Sequence, residues 1–118
     1  MLTRLLTNLD DIEACLLSGE GDVMGGEGKG NFDLYHQAMR MATSLQIGRI
    51  EEMWFEGEAT MVATTIRGGA SLWLASDVLP IGRLSHEARS IRPVIEDLIE
   101  VSKCLIYPLE MLLILKLI

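Results

Sequence analysis

Positive charge is scarce in this sequence. Ten lysines and arginines stand against 17 aspartates and glutamates, which gives a formal net charge of -7 over 118 residues. Nucleic-acid binding usually requires a clustered basic surface, because the phosphate backbone supplies much of the affinity. The balance of charge therefore argues against DNA and RNA as partners.

Cysteine is also scarce, since only Cys15 and Cys104 occur. Two distant cysteines in apolar surroundings do not form the dense framework of a disulfide-stapled secreted domain, so we interpret both as reduced thiols. The segment before Cys15 contains one basic residue, Arg4, and no long apolar core with a small-residue cleavage site. This N-terminus predicts a cytoplasmic protein.

Motifs for catalysis and for cofactors are missing as well. His36 and His86 have no second ligand three or four residues away, as a helical zinc site would require. The glycine-rich segment 25–31 fails the spacing of a phosphate-binding loop, because Val23 and Gly30 stand where glycine and Ser or Thr are needed. We expect no catalytic residue, no metal and no cofactor, and hence no enzyme.

What the sequence does contain is an apolar pattern for one α+β domain, with 49% hydrophobic residues. Leu2, Leu5, Leu6 and Leu9 have helical spacing, and residues 12–24 form two short apolar runs around a glycine turn. A helix follows from the N-cap Asn31 to Gly48, and a long helical stripe beginning at Leu84 contains Pro93, which predicts a kink or a division. The predicted order is helix, two strands, helix, three strands, helix.

The three consecutive strands lie within residues 49–76, and turns this short join only antiparallel neighbours. Their apolar residues do not alternate cleanly, since Trp54 and Phe55 are adjacent and Leu72, Trp73 and Leu74 form a run. A sheet that is apolar on both faces requires a covering layer on each side. We expect helices from both ends of the chain to supply these layers.

Two phrases in this region carry a family resemblance. "LQIGRIEEMWFEGEATMVATTIRGGASLWLAS" (45–76) and "LPIGRLSHEARSIRPVIEDLI" (79–99) resemble the middle and closing segments of the Roadblock and dynein light chain family. In the first phrase, a helix ends in glycine, an acidic strand leads to a Gly-Glu turn, and a hairpin precedes an apolar strand. In the second, Ile81 and Gly82 open the last helix, and Arg83 and Arg89 stand at basic positions.

The resemblance implies a fold and a mode of assembly. The fold is a five-stranded antiparallel sheet, with a central helix on one face and the terminal helices on the other, built from residues 1–103. Members of the family form homodimers or heterodimers through the central helix and the third strand. The implied dimer interface comprises Leu34, Tyr35, Ala38, Met39, Ala42, Leu45, Ile50, Met53, Trp54 and Phe55.

The resemblance also implies a function without bond chemistry, that of a dimeric scaffold or regulator of a small Ras-like GTPase. The partner would be a second copy or a related Roadblock protein, together with the GTPase. Two alternatives stay open. One is a structural subunit of a larger light-chain-like or signalling complex, and the other is a small-ligand sensor, because a sheet clasped by helices can hold a pocket.

The C-terminal tail, residues 104–118, matches no family motif. Only Glu110 and Lys116 in it are charged, so full exposure of the tail to water would be unfavourable. It is shorter than the roughly 20 residues that a helix needs to cross a bilayer. We predict that the tail packs on the domain or on a partner; a peripheral membrane contact through the tail is the alternative.

Overall fold

A computed structural model describes residues 2–7, 9–28 and 30–117, with side chains at 5–7, 9–28 and 30–99. The predicted order of elements is confirmed. The helices are α1 (Leu2–Thr7), α2 (Phe32–Ser44) and α3 (Ile81–Leu117), and the strands are β1 (Glu13–Leu17), β2 (Val23–Gly26), β3 (Glu52–Glu56), β4 (Thr60–Thr65) and β5 (Ser71–Ser76).

The strands form one antiparallel sheet in the order β2-β1-β5-β4-β3. The expected meander of β3, β4 and β5 is present. Its second reversal is closed by a hydrogen bond from the Ile66 N–H to the Ala70 carbonyl, and Gly68 and Gly69 have φ angles of 88° and 89°. Since β1 pairs with β5, the last strand of the sequence lies at the centre, and β2 and β3 form the two edges.

Side chains alternate between two apolar clusters, one on each face of the sheet. Leu72 and Leu74 of β5 belong to the first cluster, while Trp73 between them belongs to the second. Helices α1 and α3 cover the first face, which we call the α1/α3 face, through residues such as Leu6 and Leu84. Helix α2 covers the opposite face, the α2 face, through Tyr35. The expected α+β sandwich of helix layers around a five-stranded sheet is confirmed.

Helix α2 begins as predicted and ends earlier than predicted. The Asn31 side chain accepts a hydrogen bond of 3.0 Å from the Leu34 N–H, which satisfies an orphan donor of the first turn. The helix stops at Ser44, and Gln46 adopts the left-handed conformation at φ 56° before Gly48 is reached. The prediction that Gly48 ends the helix was therefore wrong by one turn, and Leu45 is the C-cap residue.

Helix α3 runs through Pro93 as one element, so the alternative of two separate helices was wrong. Pro93 lies on the exposed side, whereas Ile91 and Ile95 on either side of it pack into the same cluster. Anchoring on both sides of the proline holds the two parts of the helix on the sheet. The backbone of 104–117 continues this helix, but side chains from Glu100 onward lie outside the described residues, so the packing of the tail stays a prediction.

The glycine-rich segment 25–31 is not entirely a loop, because Gly25 and Gly26 belong to β2. Gly26 has a φ angle of 88°, and a Cβ atom there would collide with the carbonyl oxygen of Ala14 on the neighbouring strand. Glycine is therefore required where β2 approaches β1. This close contact explains part of the composition that suggested a flexible linker.

We expect Gly26→Ala to lower the free energy of unfolding by about 2 to 3 kcal/mol, because the new side chain meets both a backbone clash and an unfavourable φ. Gly82→Ala is the matched control: Gly82 lies in α3 with open space around its Cα. This control should raise stability by about 0.5 to 1 kcal/mol. Urea unfolding of both variants measures the difference, and equal midpoints would contradict the assigned strand contact.

Candidate interaction surface

The residues predicted for the dimer interface fall into three groups. Leu34, Leu45 and Trp54 are exposed, with 39%, 65% and 51% of their surface accessible. Tyr35 and Ala42 are buried within the single chain, and the Tyr35 hydroxyl lies 3.0 Å from the Thr65 hydroxyl. The remaining predicted residues are half-buried: Ala38, Met39, Ile50, Met53 and Phe55.

Two further apolar residues, which the predicted interface omitted, are exposed in α2 and shortly after it. Met41 is 64% accessible and Ile47 is 72% accessible. Leu34, Met41 and Leu45 follow one another at spacings of seven and four residues, so they lie on one side of α2. We call these three residues together with Ile47 the α2 stripe. The sequence feature that could have indicated an exposed Met41 is the apolar face of α2, which is wider than one contact with the sheet can bury.

Edge strand β3 divides its side chains between the two faces. Met53 and Phe55 pack against the cluster on the α2 face, and the Phe55 ring lies parallel to Trp73 with centroids 6.1 Å apart. Trp54 alternates with them and is half exposed on the α1/α3 face. Met53 and Phe55 thus support the core of their own chain, while the main chain along the outer side of β3 has no strand partner within the described sheet.

A hydrogen-bonded carboxylate fixes β3 to α3. Glu52 accepts a hydrogen bond of 2.6 Å from the Ser85 hydroxyl and one of 3.1 Å from the Arg89 guanidinium. Burial raises the pKa of the Glu52 carboxyl, but hydrogen bonds from Ser85, Trp54 and Arg89, with the charge of Arg89, outweigh burial and hold this pKa below its usual value. The ionised carboxylate is therefore a tie between the edge strand and the helix.

A second group of ion pairs extends this tie. Arg92 of α3 lies 3.4 Å from Glu51 and 3.2 Å from Glu96, and Glu96 lies 3.4 Å from Arg67 at the turn between β4 and β5. These pairs are partly exposed, and partly exposed pairs contribute little individually. Together they show that the glutamates next to β3 pair with arginines about 40 residues away. No local pattern in the sequence indicates this pairing.

His36 and Ser85 carry groups that could act in metal binding or catalysis, and the structure places them in a packing contact and a hydrogen bond. His36 stacks on Phe32 with ring centroids 5.7 Å apart, and Ser85, which precedes His86, donates a hydrogen bond to Glu52. Within the part of the chain that the structure describes, no three His, Cys, Asp or Glu side chains converge as a metal site requires. Among the described residues, no helix has both the length and the apolar character needed to cross a bilayer.

No protein-family model matches this chain, and no curated protein is significantly similar to it. The Roadblock resemblance therefore depends on the quoted motifs and on the order of elements. Family membership remains a prediction, and so does the dimer interface.

The Glu52 tie predicts a pH dependence. Because folding lowers the pKa of Glu52, its stabilisation is present above the ordinary glutamate pKa of about 4.3 and is lost as pH falls through the lower folded value. Glu52→Gln should lower the free energy of unfolding by about 1 to 2 kcal/mol at neutral pH, with the deficit shrinking toward zero in acid. Unfolding curves across this pH range provide the measurement.

Glu51→Gln is the matched control for this prediction, since the Glu51 side chain is 60% exposed in its ion pairs. It should change stability by less than about 0.5 kcal/mol. Equal effects of the two substitutions, or a Glu52→Gln deficit that does not depend on pH, would show that the carboxylate is not a tie.

Proposed function

We propose that this protein is a non-catalytic, cytoplasmic, dimeric scaffold or regulator of a small Ras-like GTPase. The observations that carry the proposal are the edge strand β3, which has no strand partner within the described sheet, and the exposed α2 stripe. Four large apolar side chains there are 39% to 72% accessible in the single chain. Large apolar side chains exposed on one element often mark a protein-protein contact. The order of helices and strands also agrees with the fold that the Roadblock resemblance implies.

In this proposal, pairing of two copies covers both the edge strand β3 and the exposed α2 stripe. Antiparallel pairing of β3 with the β3 of a second copy uses the free main-chain groups on its outer side, and the two α2 stripes then cover each other. A two-fold arrangement closes the assembly at two chains. In this dimer the contribution of Met53 and Phe55 comes from their main chain, because their side chains already pack on their own core.

The dimer acts on its GTPase by differential binding. A paired sheet presents a rigid surface, and a rigid surface that fits one nucleotide state of the GTPase better shifts the population toward that state. No residue of this chain takes part in bond breaking in this mechanism. The second subunit is either an identical chain or a related Roadblock protein.

A structural subunit of a larger complex is the second candidate, and the opposite edge of the sheet favours it. On edge strand β2, Val23 is 66% accessible and Met24 is 43% accessible. An apolar edge on each side of the sheet offers contacts in two directions, as a subunit between two neighbours needs. Purification with unrelated subunits in fixed proportion would favour this candidate over a self-sufficient dimer.

We expect Met41→Glu combined with Leu45→Glu to convert a dimer into monomers. The two glutamates of each chain would be buried in the dimer interface without a partner of opposite charge. Both side chains are mostly exposed in the single chain, so the fold should be retained. Sedimentation equilibrium measures the mass. The same variant should lose any effect of the wild-type protein on nucleotide hydrolysis by candidate GTPases.

Val23→Glu combined with Val94→Glu is the control, since it adds equal charge at exposed apolar sites on β2 and α3. It should leave the dimer mass unchanged. A wild-type protein with the mass of one chain would contradict the dimer. A dimer that changes neither the binding nor the hydrolysis of any candidate GTPase would remove the regulatory function and leave the structural one.

A further inference from the structure

Helix α2 leaves one end of its face of the sheet uncovered. Strand pairing places Glu13, Ala75 and Met61 in one row across β1, β5 and β4, on the α2 face. Ala75 and Met61 are half-buried, and Glu13 is exposed. The next row on this face is fully buried, and it consists of Cys15, Trp73 and Ala63. The cover provided by α2 therefore ends between these two rows.

The uncovered row is the floor of a groove of about 950 Å³, which we call the sheet-end groove. Its walls come from the segments before β1, after β2 and after β5. Met61 and Ala75 give it an apolar floor, Leu9 and Ile12 line one side, and Val78 on the other is 73% accessible. The volume lies within the range of grooves that hold a ligand or a few residues of a peptide.

The described lining of the groove is negatively charged. Asp11, Glu13, Glu27 and Asp77 line it, and no lysine or arginine is among its described lining residues. Within the described part of the chain, none of these four carboxylates forms an ion pair. Arg67, Arg89 and Arg92 pair with other carboxylates, those of Glu96, Glu52 and Glu51. A cleft with one sign of charge concentrates ligands of the opposite sign.

The distribution of the carboxylates decides what kind of cation fits. They do not converge on one point, as the absence of a metal-like group among the described residues shows. Charges spread around an apolar floor match an extended ligand with several spaced cations and an apolar group between them. A second copy of this chain is a poor occupant, because its net charge is also -7.

We propose that the sheet-end groove docks a basic, extended segment of a partner protein. Lysine or arginine side chains of that segment pair with the four carboxylates, and an apolar side chain between them rests on Met61 and Ala75. This inference stands independently of the GTPase proposal, because the described lining of the groove includes neither the α2 stripe nor β3, and no dimer is needed.

A fluorescein-labelled peptide in which lysine and valine alternate is the probe, with binding followed by anisotropy and the contact region mapped by NMR of the isotope-labelled protein. Peptide-induced shifts should concentrate at Glu13, Met61, Ala75 and Val78. Glu13→Gln combined with Asp77→Asn should weaken binding about fivefold, because two exposed charge pairs are lost. Both changes are at exposed side chains, so the fold should be retained.

Three comparisons make the test decisive. Glu20→Gln combined with Asp97→Asn removes equal charge outside the groove and should change affinity by less than about twofold. A peptide with serine in place of valine should bind at least about fivefold more weakly, since the apolar contact is lost. Equal weakening by the control variant, equal binding of the serine peptide or of spermine, or shifts spread over the whole surface would each overturn the proposal.

Discussion

The central strands of this protein are apolar on both faces, and the rest of the architecture follows from that constraint. Leu72, Trp73 and Leu74 of β5 are all fully buried, although successive residues of a strand point to opposite sides. Each face of the sheet therefore needs its own covering layer. The chain supplies one layer from its two ends, α1 and α3, and the other from its middle, α2.

The two helical layers differ in how much they bury, and this difference determines where the protein has surfaces for partners. On the α1/α3 face the buried cluster runs from Leu6 to Ile95, and α3 is also tied to β3 through Glu52 and Ser85. On the α2 face a helix of 13 residues buries only Tyr35 and Ala42 completely. Both the α2 stripe and the sheet-end groove are consequences of this smaller layer.

Sequence reasoning gave the order of elements because each helix and strand carries a local signal. Asn31 as an N-cap, the short turns of the meander and the apolar run of β5 are all readable within a few residues. The end of α2 was mispredicted by one turn. Of the two outcomes expected at Pro93, the division of α3 was wrong, since tertiary packing of Ile91 and Ile95 overrides the local preference at Pro93.

The candidate sites were predictable only in part, for a related reason. The family resemblance implied a contact surface on α2 and β3, but it did not show that Tyr35 faces Thr65 or that Met41 is exposed. The sheet-end groove brings together Asp11, Glu27 and Asp77 from three separate connections. Such juxtaposition depends on strand order, which places β5 beside β1 and which no local pattern specifies.

Native-state hydrogen exchange, at a concentration where the mass is that of one chain, tests the unequal layers most directly. The amides of β5 and of the part of α3 between 84 and 95 should exchange only through global unfolding, while those of α2 should exchange through a smaller, local opening. Equal protection of α2 and α3 in the single chain would contradict the account, because the layer on the α2 face would then be as firmly held as the layer on the other.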